Sequence, residues 1–172
     1  MVVWLCGLSG SGKTTLGRLV YARVKPKVPN IVLLDGEDFR AAFGEDLGHD
    51  SEARRRNSIR IGNLCRLLDG QGIHVVCCAM TIAPEVQAAN RKHLTAYYEV
   101  LLNVFIDVLA ARDPKGIYRR ARAGQLINVC GVDIPYVPPA NPHLVLDNNA
   151  AREDFTPLVD QILAVAPLEH AP

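Results

Sequence analysis

Gly7-Leu8-Ser9-Gly10-Ser11-Gly12-Lys13-Thr14 is the stretch that decides the fold of this 172-residue chain. It has the spacing GxxxxGK[ST]. The apolar run Val2–Cys6 comes before it, and helical spacing of Leu16, Leu19, Val20 and Val24 follows. A strand, a glycine-rich turn and a helix in that order form the context in which this spacing binds phosphate. The glycines let backbone N–H groups curl round an anion without Cβ clashes. The helix that opens near Lys13 adds the positive end of its dipole. Lys13 is the residue expected to reach the β- and γ-phosphates of a nucleoside triphosphate, and the Thr14 hydroxyl is expected to ligate Mg²⁺.

Outward from this loop, short apolar runs alternate with helical patterns. Strands are expected at residues 31–34, 73–80, 98–104 and 144–146. Helices are expected at 14–25, 51–68, 84–94, 106–112 and 154–165, and the second of these should turn Ile59, Ile61, Leu64, Leu67 and Leu68 inward. Alternation of this kind predicts an α/β fold of the P-loop NTPase type, mainly a parallel sheet with helices on both faces. There is no internal repeat or low-complexity linker, so residues 1–172 read as one domain of ordinary size. Residues 113–142 stand apart. They are rich in Gly, Pro, Arg and Lys, with helical signal only near 117–123. A long irregular stretch in a small domain is usually functional, and this one reads as a mobile lid with little apolar surface.

Composition excludes several classes. The chain is 49% hydrophobic and 22% charged, an ordinary globular balance that argues against disorder. Net charge is +1, which disfavours a general nucleic-acid or anionic-membrane binder. No apolar run has the length of a membrane span, and no basic region precedes Val2–Cys6, so a signal peptide is not expected. The five cysteines, Cys6, Cys65, Cys77, Cys78 and Cys130, are odd in number and form no CxxC pair. Reduced thiols in a cytoplasmic protein are therefore expected, without a disulfide framework or zinc site. A reactive role for Cys130, which sits in a Gly-rich loop, is the weaker reading.

A second set of polar residues follows the second strand. Ligands of open parallel sheets bind beyond the carboxyl ends of the strands, so Asp35 should face Thr14. It is a candidate for Mg²⁺ contact or for accepting the proton of an attacking hydroxyl. The plainer alternative is a turn aspartate bonded to its own backbone. Glu37 and Asp38 suit the first turn of a helix. Arg40, Arg54, Asn57 and Arg60 could form an anion site of arginine forks, or simply a solvated basic face.

These motifs line up with a known family. GLSGSGKTT at 7–15, LLDGEDFR at 33–40, DLG at 46–48 and the pair Arg54 and Asn57 are followed by RDPKGIYRRARAG at 112–124, GVDIPY at 131–136 and PANPHLVLD at 139–147. In this order the chain resembles the adenylyl-sulfate kinase (APS kinase) family, which phosphorylates the 3′-hydroxyl of adenosine 5′-phosphosulfate. The resemblance implies that Gly7, Ser9, Gly10, Ser11, Gly12, Lys13, Thr14, Thr15 and Arg112 bind ATP, with Arg112 framing its base. It implies that Lys13 and Asp35 are catalytic and that Thr14 and Asp35 hold the metal. The acceptor side would be Asp35, Asp38, Arg40, His49, Arg54, Asn57, Lys115, Arg122 and Val129, with Lys115 and Arg122 in the lid. Partners would be ATP and a small nucleotide-type acceptor, with no nucleic acid or membrane. A homodimer is left as an open question of assembly.

The departures fall on the acceptor side. The family has phenylalanines where this chain has His49 and Val129, and these two rings sandwich the acceptor's adenine. Stacking of that kind is worth roughly 1–3 kcal/mol per base. The family's SPxR segment is missing too; here the chain reads Met80-Thr81-Ile82-Ala83-Pro84-Glu85. Adenylyl sulfate is the family's default acceptor. The departures raise an alternative, the APS-kinase-like branch of bacterial capsule pathways represented by cytidine diphosphoramidate kinase. Rivals from other classes are a kinase of a base-free metabolite such as a sugar, which the Arg54/Asn57 pair disfavours, and a non-catalytic nucleotide-binding module, which intact Lys13, Thr14 and Asp35 disfavour.

Overall fold

The structure, a computed structural model, describes residues 1–44 and 46–170. Five strands form one sheet: β1 (Val2–Cys6), β2 (Ile31–Asp35), β3 (His74–Cys78), β4 (Tyr97–Asn103) and β5 (Leu144–Asp147). Every pairing is parallel, in the order β2-β3-β1-β4-β5. The helices are α1 (Lys13–Val24), α2 (Gly36–Ala42), α3 (Ser51–Asp69), α4 (Pro84–His93), α5 (Ile106–Arg112), α6 (Ile117–Arg122) and α7 (Thr156–Val165), with a last 3₁₀ turn at Leu168–His170. The expected strands and helices are all present, with ends shifted by a few residues.

Strands buried on both sides need apolar residues at consecutive positions, and β1 and β3 are buried at all five. Side chains of alternate residues divide between the two faces. Val3, Leu5, Val76, Cys78, Val100, Leu102 and Leu146 pack against α1 and α7 through Leu16, Val20, Leu158, Val159 and Ile162. Val2, Trp4, Cys6, Val75, Cys77 and Leu101 pack on the other face with Phe39 of α2 and Ile61 and Cys65 of α3. On α3 the buried positions are Ala53, Asn57, Ser58, Ile61, Gly62 and Cys65. Leu67, expected to face inward, is 60% exposed. The stripe is centred on small residues, which apolar spacing alone misplaces.

The lid reading is corrected in one respect. Residues 113–142 carry their own anchor of apolar side chains. Tyr118, Val129, Cys130 and Ile134 are buried with Leu8, Val104 and Leu109 in a third cluster beyond the carboxyl end of the sheet. This segment has few backbone ladders yet is fastened by side-chain burial.

All five cysteines are free and buried. Burial pushes the Cys6, Cys77 and Cys130 thiols up and the Cys78 thiol up to about 12. Thiolates are thus disfavoured, including at Cys130.

Cys78 also sets the approach of α1 to the sheet. A Cβ on Gly17 would lie 2.1 Å from the Cys78 sulfur, so the helix can sit this low only with glycine there. Overpacking costs about 1–3 kcal/mol, against a helix-propensity gain of up to about 1 kcal/mol for alanine over glycine. Gly17→Ala should therefore lower the midpoint of thermal or urea unfolding. Combined with Cys78→Ala, which removes the sulfur, the same change should become neutral or stabilising. A Gly17→Ala protein as stable as its parent would refute this contact.

Candidate active site

The loop between β1 and α1 has the backbone its sequence requires. Gly7, Gly10 and Gly12 have φ of 145°, 77° and 101°, values that side chains with a Cβ rarely adopt. Gly7 is further confined, since a Cβ would lie 2.7 Å from the Leu102 carbonyl oxygen. Gly12 leads directly into α1, so the first N–H groups of that helix open onto the concave side of the loop.

Lys13 Nζ donates to the Leu8 carbonyl at 2.7 Å, which folds the ammonium back across the loop. The residue as a whole keeps some exposure, but its charged end lies among the strand ends. Desolvation there lowers its pKa to about 8, an effect opposed by the nearby Cys78, Cys6, Asp35 and Glu37. An anion bound in the loop would restore the charge.

Asp35 makes a backbone cap and also reaches Thr14. It is the N-cap of α2, with Oδ1 accepting from the Glu37 N–H at 2.9 Å. Its Oδ2 accepts from the Thr14 hydroxyl at 2.6 Å. The residue is 9% exposed, so the carboxylate is held in one orientation at the end of β2. Glu37, next along, forms an ion pair with Lys115 from the lid. That contact spans the space between α2 and residues 113–142.

The predicted acceptor residues separate into groups. Arg40 donates to the Leu47 and Gly48 carbonyls at 3.1 and 3.0 Å. Arg54 donates to the His49 carbonyl at 2.7 Å and to the Asn128 carbonyl at 2.8 Å. Arg40, Arg54, His49 and the lid backbone beside Val129 are therefore brought together. Asn57 lies buried on the inner side of α3, one turn beyond Arg54. Asp38 is exposed in the first turn of α2. Arg122 is directed to Asp107 of α5, at 3.2 Å, on the outer surface. Arg60 pairs with Asp46 at 2.8 Å and lines a separate cleft of about 400 Å³ with Phe39, Phe43 and Leu64. The spacing 54, 57, 60 thus does not assemble one arginine cluster. Val129 is 5% exposed and is part of the third apolar cluster, so it offers almost no surface to a ligand.

On the other side of the loop, Arg112 donates to the Asn149 and Ala150 carbonyls at 2.8 and 2.9 Å. Thr15 lines an open cleft of about 370 Å³ with Leu19, Arg23, Phe155 and Val159. Two residues beside the loop escaped sequence reasoning. Asn148, after β5, donates to the Ser11 carbonyl at 2.9 Å, and the Tyr118 hydroxyl donates to the Ser9 carbonyl at 2.8 Å. An asparagine directly after the last apolar strand was the available signal for Asn148; Tyr118 lay within the lid string with no signal of its own. Among the described residues no group of three or more His, Cys, Asp or Glu could hold a metal. The oxygen pair of Thr14 and Asp35 is the arrangement that suits a phosphate-bound Mg²⁺, an ion that takes one or two protein oxygens and fills its shell with water and phosphate.

Comparison with known proteins agrees with this architecture. The family profile of adenylylsulphate kinase matches residues 1–147. Cytidine diphosphoramidate kinase of Campylobacter jejuni is 34% identical over 162 residues, covering 94% of each chain. An adenylyl-sulfate kinase of Microcystis aeruginosa is 37% identical over 165 residues, covering 96% of this chain and 88% of that one. Among solved structures, the APS kinase CysC of Mycobacterium tuberculosis, in complex with AMPPNP and APS, superposes with a TM-score of 0.81. It is 32% identical, with 97% of this chain and 95% of that chain covered. In longer bifunctional relatives the match is to 26% of their length. The parallel sheet, the phosphate loop and the agreement over nearly the whole chain lead to one conclusion: this protein belongs to the adenylylsulphate kinase family of ATP-dependent kinases.

Proposed function

We propose that this kinase transfers the γ-phosphate of Mg-ATP to the ribose 3′-hydroxyl of a small nucleotide, with adenylyl sulfate as the acceptor the family implies. The observation that carries the reading is the Thr14–Asp35 hydrogen bond. It joins the phosphate loop to the end of β2, and the helix that follows carries Glu37 to the lid cation Lys115. Bound Mg²⁺ would offset charge on the β- and γ-oxygens. Thr14 would offer an oxygen lone pair to the ion while its hydroxyl proton remains hydrogen-bonded to the Asp35 carboxylate. Lys13 would leave the Leu8 carbonyl for the phosphates. Asp35 keeps lone pairs beyond its two hydrogen bonds, so it can take the proton of the attacking hydroxyl. Arg40, Arg54 and Asn57 would grip the acceptor, and Arg112 would frame the donor base. Lys115 and Arg122 would come from the lid, Arg122 after leaving Asp107. Catalysis of this kind is positioning plus charge stabilisation.

A second reading of the acceptor, cytidine diphosphoramidate, is favoured by one observation. Val129 is packed into the core of the lid, and exposed His49 stands at the position of the family's other aromatic. A two-ring adenine clamp is therefore unsupported here, and a smaller base loses less by its absence. The relative in Campylobacter jejuni supports the same reading.

Three outcomes test these proposals. Lys13→Ala should abolish phosphoryl transfer without lowering the unfolding temperature. In the parent, kcat/KM for ATP should fall as pH rises past about 8, because the free enzyme's Lys13 is charged below its pKa of about 8 and neutral above it. Wild-type turnover by the variant would remove the phosphate-loop role.

Asp35→Asn keeps the shape and the N-cap but removes the base, so kcat should fall at least about a hundredfold. Unchanged kcat would reduce Asp35 to a helix cap.

Incubation with Mg-ATP and a panel of nucleotidyl sulfates and cytidine diphosphate derivatives, with products identified by mass, decides the acceptor. A KM for adenylyl sulfate in the low micromolar range, the tight end of ordinary enzyme affinities, with no competing acceptor, would eliminate the second reading.

A further inference from the structure

A phosphate loop works only if its N–H groups point inward, and in a trans peptide the carbonyl of one residue points opposite to the N–H of the next. Holding a loop carbonyl outward therefore aims the following N–H at the anion. Three carbonyls among residues 8–11 are held. That of Leu8 accepts from Lys13 Nζ and from the Ser11 N–H. That of Ser9 accepts from the Tyr118 hydroxyl at 2.8 Å, and that of Ser11 from Asn148 Nδ2 at 2.9 Å.

The last two donors come from outside the loop and from two separate segments of the chain. Tyr118 is in the second position of α6, 2% exposed, with its ring in the third apolar cluster beside Leu8 and Leu109. Asn148 follows β5 and is 4% exposed. Its amide nitrogen would lie 2.7 Å from a Cβ on Gly12, so Gly12 is needed both for its φ of 101° and to admit this side chain. Both donors are buried and thus shielded from competition with water.

We propose that Tyr118 and Asn148 are positioning residues for the phosphate loop, pinning the Ser9 and Ser11 carbonyls so that the Gly10 and Gly12 N–H groups face the ATP phosphates. Tyr118 belongs to the lid, so the segment expected to close over the substrates also holds part of the donor site in shape. The inference rests on the phosphate-loop reading of residues 7–14.

The test compares Tyr118→Phe, which removes one hydroxyl from an otherwise unchanged core ring, with Asn148→Asp, which keeps size but sets a carboxylate oxygen, with no proton to donate, against the Ser11 carbonyl. Ile162→Val, in α7 and away from the loop, provides a control with a matched, modest loss of stability. ATP dissociation constants from calorimetry, KM for each substrate, kcat and unfolding temperatures are measured on all three. Loss of one positioning hydrogen bond should weaken ATP about threefold to tenfold in Tyr118→Phe, and more in Asn148→Asp. KM for the acceptor and kcat should stay within about twofold of the parent. Ile162→Val should leave ATP affinity unchanged at a similar unfolding temperature. Parental ATP affinity in Tyr118→Phe, or an equal loss in Ile162→Val, overturns the proposal. If Asn148→Asp does not fold, Tyr118→Phe decides alone. Lys13→Ala separates the two levels. Parental ATP affinity in that variant refutes the phosphate-loop reading itself. Loss in Lys13→Ala with parental affinity in Tyr118→Phe refutes only the pinning.

Discussion

The site depends on one contact, the hydrogen bond from the Thr14 hydroxyl to the Asp35 carboxylate. Thr14 follows β1 and Asp35 ends β2, and these strands are not neighbours: β3 lies between them. Strand spacing of about 4.8 Å puts the ends of β1 and β2 nearly 10 Å apart, so the connection must pass over the end of β3. That end is built small. Cys78 stands in register between Leu5 and Asp35, and Ala79 follows it. The Cys78 sulfur meets the Lys13 carbonyl at 3.3 Å, and a Cβ on Gly36 would already touch Ala79 at 3.5 Å. A larger side chain at 78 or 79 would push α1 and α2 apart and break the contact. The closeness of Gly17 to Cys78 belongs to the same constraint.

Much of this was legible in the sequence because it is local. Five consecutive apolar residues before a GxxxxGK[ST] spacing specify a buried strand, a turn and a helix with little help from elsewhere. Asp35 was legible because strand ends in parallel sheets gather ligands on one side. What escaped depends on distant partners. Leu67 has perfect helical spacing for the core, but Gly62 and Cys65 occupy the face that meets the sheet. Small side chains allow close approach and leave no trace in hydrophobic periodicity. The lid appeared polar because Tyr118, Val129, Cys130 and Ile134 are scattered among Gly, Pro and Arg. No period links them; they converge only on Leu8, Val104 and Leu109 in the folded chain. Arg60 and Arg122 show the same dependence on distant partners: charge spacing shows that cations share a face, and in the folded chain Arg60 points to Asp46 and Arg122 to Asp107.

The two halves of the proposed site are built differently. The donor half rests on backbone geometry, with three glycines in the left-handed region and three carbonyls held in place. Such a scaffold leaves little room for change, since most substitutions would clash or strain. The proposed acceptor half rests on side chains that reach across loops. Arg54 ties the His49 carbonyl to that of Asn128, and Arg40 ties down Leu47 and Gly48. Here a side chain can be exchanged while the arginines keep the loops in place.

This division explains how one scaffold can keep a donor while its acceptor varies. At position 129 the valine is held inside the lid's apolar cluster, so a ring placed there would have to leave that cluster to meet a base or overpack it, at a cost of about 1–3 kcal/mol. The cluster also holds Tyr118, whose hydroxyl reaches the Ser9 carbonyl. A change at 129 therefore acts on two things at once: the surface offered to an acceptor and the packing that supports the phosphate loop. On the proposed reading, acceptor choice and donor affinity would be coupled through this apolar cluster, because one packing arrangement bears on both.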